Sequence, residues 1–179
     1  MLDETWPWIE GAHGLRSQLF GMLSDADLAF SPGGQALTLG ALSREIGETE
    51  HAYAQSLTTL KHDWSYRQHG PDVTSEVARL DEWFHTLDDE LRAALAALQG
   101  EDSEPMIDRG GSPVTIKFQL DACLQAMLIF LGKATVYLRV MDKPLPPEFQ
   151  STLADLATAS DHRTARRLSP DAAYRARLN

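Results

Sequence analysis

The chain has 179 residues, of which 43% are hydrophobic, and this length and composition predict one ordinary domain with a sizeable core. Its formal net charge of -10 argues against binding to nucleic acid or to an acidic membrane surface, because such a surface repels phosphate groups. The single cysteine, Cys123, excludes an internal disulfide and a cysteine-rich zinc site. The longest unbroken apolar run, Ala126–Leu131, is far shorter than the roughly 18 residues of a membrane span, and Met1–Glu4 lacks a basic flank. These features predict a cytoplasmic protein.

Four long stretches of apolar residues at three- and four-residue spacing predict an all-α fold, an antiparallel four-helix bundle with a short extra C-terminal helix. Turn formers such as Ser31–Gly34 and Gly70–Pro71 separate the stretches. The expected caps are Thr38 for the second helix, Thr74 or Ser75 for the third, and Ser112 with Pro113 in the first helical position for the fourth. The predicted helices cover about Glu4–Leu23, Thr38–Tyr66, Ser75–Gly100 and Val114–Met141, and a short fifth helix covers Glu148–Ala159.

The chain divides by charge into residues 1–159, predicted to form the helical bundle, and a basic tail, residues 160–179. The tail holds five arginines and two aspartates, a formal charge of +3, which leaves -13 for the bundle. Two interpretations remain open. The tail is either a loosely packed segment attracted to its own acidic bundle or an arm that binds a partner.

Two segments resemble a known family. Residues 38–50 read TLGALSREIGETE, which is similar to the TLGELLxHIxxxE segment on the second helix of the DinB/YfiT-like superfamily. Residues 131–139 read LGKATVYLR and are followed by KPLP at 143–146, which resembles HHRGQLxxYLRxxGxPxP on the fourth helix. The order and spacing of the segments suit the four-helix bundle of that superfamily, whose members include metal-dependent hydrolase-like proteins.

Many members of this superfamily bind a divalent metal through one histidine on the second helix and two on the fourth. The resemblance assigns these ligand positions to Glu45, Ala126 and Phe130. Only Glu45 offers a donor atom, whereas a catalytic metal requires about three protein ligands. The resemblance therefore implies a divergent branch without the metal-binding histidines, with a degenerate metal site and no cofactor.

Several polar side chains fall on the inward stripes of the predicted helices, and buried polar groups need partners. Arg16 or Lys133 could neutralise Glu45 and fix the helix register, or the residues could line a small polar pocket for an organic ligand. Cys123 also points inward, where packing explains it better than reactivity. The pocket candidates are His13, Arg16, Glu45, Gln119, Ala126, Phe130, Lys133 and Tyr137.

The sequence leaves open whether the protein is an enzyme. The main expectation is a DinB-like protein of unspecified activity that binds a small molecule without a metal or acts in a stress response. One alternative is a hydrolase or transferase that uses the cleft around Glu45, or that recruits a divalent ion through another ligand set. Another is a helical interaction module. The wide apolar arc of the fourth helix, which includes Leu128 and Val136, also predicts a homodimer.

Overall fold

The computed structural model describes residues 2–98 and 105–149. Four long helices form the predicted all-α bundle. The predicted fifth helix, apart from its first two residues, and the whole tail 160–179 lie outside the described residues. The elements, in chain order, are α1 (Leu2–Phe20), α2 (Asp25–Leu28), α3 (Leu39–Thr59), a 3₁₀ turn (Pro71–Thr74), α4 (Val77–Leu98), β1 (Met106–Asp108), β2 (Pro113–Thr115) and α5 (Ile116–Val140).

Contacts divide the chain after Pro144 into two units, Met1–Pro144 and Leu145–Asn179. The first contains all the elements above, with α3 packed against α4 and α5, and α1 packed against α5 and α4. Of the second, only residues 145–149 are described.

The aromatic core of the first unit joins three of the long helices. The ring centroid of Phe20 on α1 lies 5.2 Å from that of Phe84 on α4 and 6.5 Å from that of Phe130 on α5. Small residues on α3 let α4 and the turn before it come close. A Cβ atom on Gly47 would lie 2.4 Å from Cη2 of Trp83, and one on Gly40 would lie 2.2 Å from the carbonyl oxygen of Thr74. Glycine at these two positions therefore sets how closely α3 packs.

The second helix is shorter than the sequence predicts. Thr38 caps α3 as expected, since its Oγ1 accepts a hydrogen bond from the Ala41 amide at 3.2 Å. The helix ends at Thr59 instead of Tyr66, because Leu60 adopts a left-handed conformation with φ of 55°. The chain then pairs with β1, where the His62 amide donates to the carbonyl oxygen of Asp108 at 2.8 Å. This pairing replaces the helical hydrogen bonds that the periodicity alone predicts.

Two further local predictions, the caps of α4 and α5, are wrong. The start of α4 is capped by Asp25 of α2, whose Oδ1 accepts from the Val77 amide at 2.8 Å, and not by Thr74 or Ser75. Pro113 begins strand β2 instead of a helix. The cap of α5 is Thr115, which accepts from the Phe118 amide at 3.2 Å.

The small β-hairpin formed by β1 and β2 is not predicted by the sequence. It pairs Met106 with Thr115 and Asp108 with Pro113 in antiparallel register. Gly110 and Gly111 close its turn with positive φ angles of 71° and 89°, a conformation that glycine adopts at little cost. A three-residue strand is too short to show an alternating pattern, which explains why the sequence gives no signal for it.

Helix α5 packs against α3 and α1. It is also long and apolar enough, by length and composition, to cross a membrane, although its longest unbroken apolar run is only Ala126–Leu131. Its inward face includes Leu120, Met127 and Leu138, all buried. A core helix that contacts two neighbours gives the same composition as a membrane span.

Candidate functional site

The eight predicted pocket residues occupy different parts of the structure. Four of them, Glu45, Ala126, Phe130 and Lys133, line one pocket between α3 and α5. His13 and Arg16 belong to a buried ionic cluster, and Gln119 and Tyr137 make separate hydrogen bonds elsewhere. The predicted convergence of all eight near one position is therefore wrong for half of them.

The pocket between α3 and α5, called here the α3–α5 pocket, has a volume of about 190 Å³. On α5, Ala126, Phe130 and Lys133 follow one another at helical spacing and so share one face. On α3, Thr49 lies one turn after Glu45 and donates its hydroxyl to the Glu45 carbonyl oxygen at 2.9 Å. The full lining is Leu42, Glu45, Ile46, Thr49, Ala126, Ile129, Phe130 and Lys133.

The two charged side chains of the pocket are exposed. The sequence pattern predicts Lys133 on the inward stripe, but in the structure Lys133 is exposed on the outer side of α5 beside Ile129. Within residues 2–98 and 105–149, neither the Glu45 carboxylate nor the Lys133 ammonium group forms an ion pair. The pocket thus combines an apolar lining with one unpaired negative and one unpaired positive charge.

The buried ionic cluster, called here the Arg16 cluster, consists of His13, Arg16, Glu50 and Asp88. Nη1 of Arg16 donates to both carboxylate oxygens of Glu50 at 2.9 and 2.7 Å, and Nη2 donates to both oxygens of Asp88 at 2.6 and 2.7 Å. His13 Nδ1 lies 3.2 Å from Asp88 Oδ1. Arg16 is only 2% exposed and Glu50 3% exposed. One guanidinium therefore ties α1 to α3 and α4 in the interior of the bundle.

Burial dominates the protonation equilibria of this cluster. Desolvation raises the pKa of Glu50 to about 7, although Arg16 acts in the opposite direction. Desolvation, reinforced by the positive charges of Arg16 and Arg92, lowers the pKa of His13 to about 3. Burial likewise raises the pKa of Asp88. His13 is neutral near pH 7, and the guanidinium of Arg16 faces two carboxyl groups whose pKa values are raised by burial.

The partners of Arg16 are Glu50 and Asp88 and not Glu45, the partner that the sequence suggests. The sequence does contain a signal for both acidic residues. Glu50 lies four residues after Ile46, and Asp88 lies four residues after Phe84. Those spacings place both carboxylates on the apolar stripes of their helices. An acidic residue on an apolar stripe needs a buried cation, and Arg16 is the inward-facing arginine of α1.

The Arg16 cluster also contains a set of possible metal ligands. One ligand atom from each of His13, Glu50 and Asp88 lies within 4.8 Å of the others, a spacing that could hold a metal ion. The guanidinium of Arg16, however, already donates to all four carboxylate oxygens. A divalent cation would have to displace a buried positive charge, so these residues fit Arg16 better than they fit a metal.

Gln119 lies about two helical turns before Ala126 and belongs to a polar group near the β-hairpin. Its Nε2 donates to Ser56 Oγ at 2.6 Å and contacts Nδ1 of His62, and its Oε1 accepts from Arg109 at 3.3 Å. His62 is buried as well as His13. Burial and the positive charge of Arg109 lower its pKa to about 4. These contacts fasten the segment after α3 to the start of α5.

Tyr137 joins α5 to the loop before α3. Its hydroxyl donates to the carbonyl oxygen of Leu37 at 2.8 Å. The centroids of the Tyr137 and Phe30 rings lie 6.3 Å apart in an edge-to-face arrangement. The inward position of Tyr137 is as predicted, but its hydroxyl is committed to the backbone. Tyr137 therefore holds the start of α3 in place.

Comparisons with known proteins bear on the fold. No family model matches the chain, and no curated protein matches it in sequence. Among solved structures, the chain is similar to the crystal structure of a DinB-like protein, YjoA, from Bacillus subtilis. The TM-score is 0.60 at 18% sequence identity, and the match covers 75% of this chain and 90% of that one. The chain thus has a DinB-like fold, as the resemblance of residues 38–50 and 131–146 predicts.

Proposed function

We propose that this chain is a DinB-like protein that binds a small organic molecule in the α3–α5 pocket without a metal ion. One observation carries the proposal. Glu45, Ala126 and Phe130, the positions to which the resemblance assigns metal ligands, all line this pocket, and only Glu45 has a donor atom. A single carboxylate cannot hold a transition metal against cellular competitors.

The lining of the pocket favours an organic ligand. Leu42, Ile46, Ile129 and Phe130 supply apolar surface, while Glu45 and Lys133 supply polar groups that could orient a ligand. Ligand sites generally combine a mostly apolar wall with a few placed polar groups. The pocket is smaller than the roughly 300 Å³ at which most ligand sites begin, so the ligand is a small one.

A metal-dependent enzyme is the second candidate, and the Arg16 cluster is the observation that favours it. His13, Glu50 and Asp88 would supply the ligands if Arg16 moved away. We rank this candidate lower because Arg16 is buried and satisfies both carboxylates with four hydrogen bonds. An acid–base hydrolase or transferase around Glu45 is weaker still, because Lys133 is the one other ionisable group that lines the pocket among the described residues.

We further propose that the protein is a homodimer that uses exposed apolar side chains of α5 outside the α3–α5 pocket. Those that are more than half exposed include Phe118, Leu128, Val136 and Val140. Large exposed apolar patches are uncommon on soluble monomers and usually mark an interface. Leu131 and Leu138, which contribute to the apolar arc in the sequence, are buried inside the bundle and are not among these side chains.

The pocket proposal can be tested by saturation-transfer NMR with the purified full chain. The probes are 3-methylbutanol, 3-methylbutylamine, 4-methylpentanoate and L-leucine, which share an apolar body and differ in charge. We expect at least one probe to receive saturation in the presence of a chelator. Ala126→Phe, which fills the pocket, should abolish the signal. Ala122→Phe is the matched control, since Ala122 is also half-buried, lies one turn earlier on α5 and does not line the pocket.

Transfer that survives Ala126→Phe would show that the pocket is not the binding site. Loss of all transfer on chelation, restored by zinc or nickel, would favour the metal-dependent candidate instead.

A further inference from the structure

The α3–α5 pocket carries opposite charges on its two walls. Glu45 stands on the α3 wall and Lys133 on the α5 wall. The two groups do not pair with each other, nor with any other charged group in the described part of the chain. Lys133 could have balanced Glu45 directly, as sequence analysis proposes. Their separation leaves two opposite charges available to a third molecule.

The surface between the two charges is apolar. Leu42 and Ile46 lie beside Glu45 on α3, and Ile129 and Phe130 lie beside Lys133 on α5. A ligand seated there removes water from both charges, which costs free energy unless each charge finds a partner. A ligand with one charge can pair with only one of these two side chains. A ligand with both a positive and a negative charge can pair with both.

We infer that the pocket binds a small zwitterion with an apolar body, with the size and charge of an aliphatic α-amino acid. Its ammonium group faces Glu45, its carboxylate faces Lys133, and its side chain packs against Ile129, which is 60% exposed. The inference rests on the proposed function, because it names the class of ligand for the same pocket. The volume of about 190 Å³ suits a single amino acid and is too small for a peptide.

Affinity for a matched set of probes tests the inference. L-Leucine carries both charges, 4-methylpentanoate lacks the ammonium group, and 3-methylbutylamine lacks the carboxylate. Each lost charge contact should weaken binding about tenfold, which corresponds to about 1.4 kcal/mol. L-Leucine should therefore bind about tenfold more tightly than either analogue, as measured by chemical-shift titration of the full chain.

Two variants assign each end of the ligand to a wall of the pocket. Glu45→Gln should weaken L-leucine about tenfold and leave 4-methylpentanoate unchanged, because that analogue has no ammonium group. Lys133→Gln should weaken L-leucine and 4-methylpentanoate alike and leave 3-methylbutylamine unchanged. Lys61→Gln and Glu76→Gln, which remove exposed charges outside the pocket, are the matched controls and should change nothing.

Equal affinity for all three probes, lost in Ala126→Phe, would overturn the zwitterion inference and leave the pocket proposal standing. The same holds if L-leucine, L-valine and L-methionine all fail to bind while a singly charged or neutral probe binds in the pocket. If no probe binds at all, both the inference and the pocket proposal are refuted.

Discussion

Removing the buried guanidinium of Arg16 should destabilise the protein more than any change to a surface arginine. Arg16→Met keeps most of the side-chain volume but deletes the four hydrogen bonds to Glu50 and Asp88. Breaking a buried ion pair on one side typically costs about 3 to 5 kcal/mol, because the remaining charge is left without a partner. Here Glu50 and Asp88 can take up protons, since burial already raises the pKa of each. We therefore expect the low end of that range, about 3 kcal/mol at pH 7.5.

Urea denaturation at pH 7.5 measures this loss as a change in the unfolding free energy, and thermal unfolding should show a fall of about 6 to 12 °C for a chain of this size. Arg92→Met is the matched control. Arg92 is about half exposed, and its ion pair with Asp89 should be worth less than about 1 kcal/mol. The unfolding free energy of Arg16→Lys should lie between those of wild type and Arg16→Met, because lysine keeps the charge but cannot form both bidentate contacts.

The destabilisation of Arg16→Met should also shrink as the pH falls to 5.5, where protonation neutralises the two stranded carboxylates. If the unfolding free energy of Arg16→Met lies within about 1 kcal/mol of that of wild type at pH 7.5, the guanidinium does not hold the cluster together. The same conclusion follows if the loss in Arg92→Met is as large as that in Arg16→Met.

Three other predictions concern helix packing, the pH dependence of stability and the oligomeric state. Gly47→Ala should cost about 1 to 3 kcal/mol by urea denaturation because its Cβ meets an indole ring, whereas Gly132→Ala, with nothing nearby, should be neutral or stabilising. Glu50, with its raised pKa, makes stability fall as the pH rises from 4.5 to about 7, and His13, with its lowered pKa, makes it rise between about 3 and 6.5. The urea midpoint of His13→Gln should thus fall from pH 5 to pH 7 more steeply than that of wild type, and an equal or shallower fall would contradict these assignments. Sedimentation at micromolar concentration should show a dimer that Leu128→Glu dissociates, and a wild-type monomer of about 20 kDa would refute the dimer.

The sequence predicts the bundle well because its signal is repeated over many residues. Each long helix carries several turns of apolar periodicity, and the cap at Thr38 forms as expected. The same logic fails where a few tertiary contacts decide the structure. The end of α3 at Thr59 depends on pairing between residues 60–62 and Asp108, almost fifty residues away. Local periodicity carries no information about such a partner.

The candidate site is only partly predictable for a related reason. The resemblance identifies Glu45, Ala126 and Phe130, and the structure brings these residues together in one pocket. It does not predict which carboxylates bind Arg16, because Glu45 and Glu50 both lie along α3 and differ by little more than one turn. The choice depends on where α1 and α4 cross α3, which is a property of the packed bundle.

Metal content of the purified full chain tests the central claim most directly. After incubation with one equivalent each of zinc and nickel and extensive dialysis, elemental analysis should find less than about 0.1 ion per chain, because one carboxylate cannot compete for these metals. Retention of about one ion per chain would contradict the account if Glu45→Gln or Glu50→Gln abolishes it. If Glu45→Gln loses the bound ion, the metal site lies in the α3–α5 pocket. If Glu50→Gln loses it, the metal site lies in the Arg16 cluster.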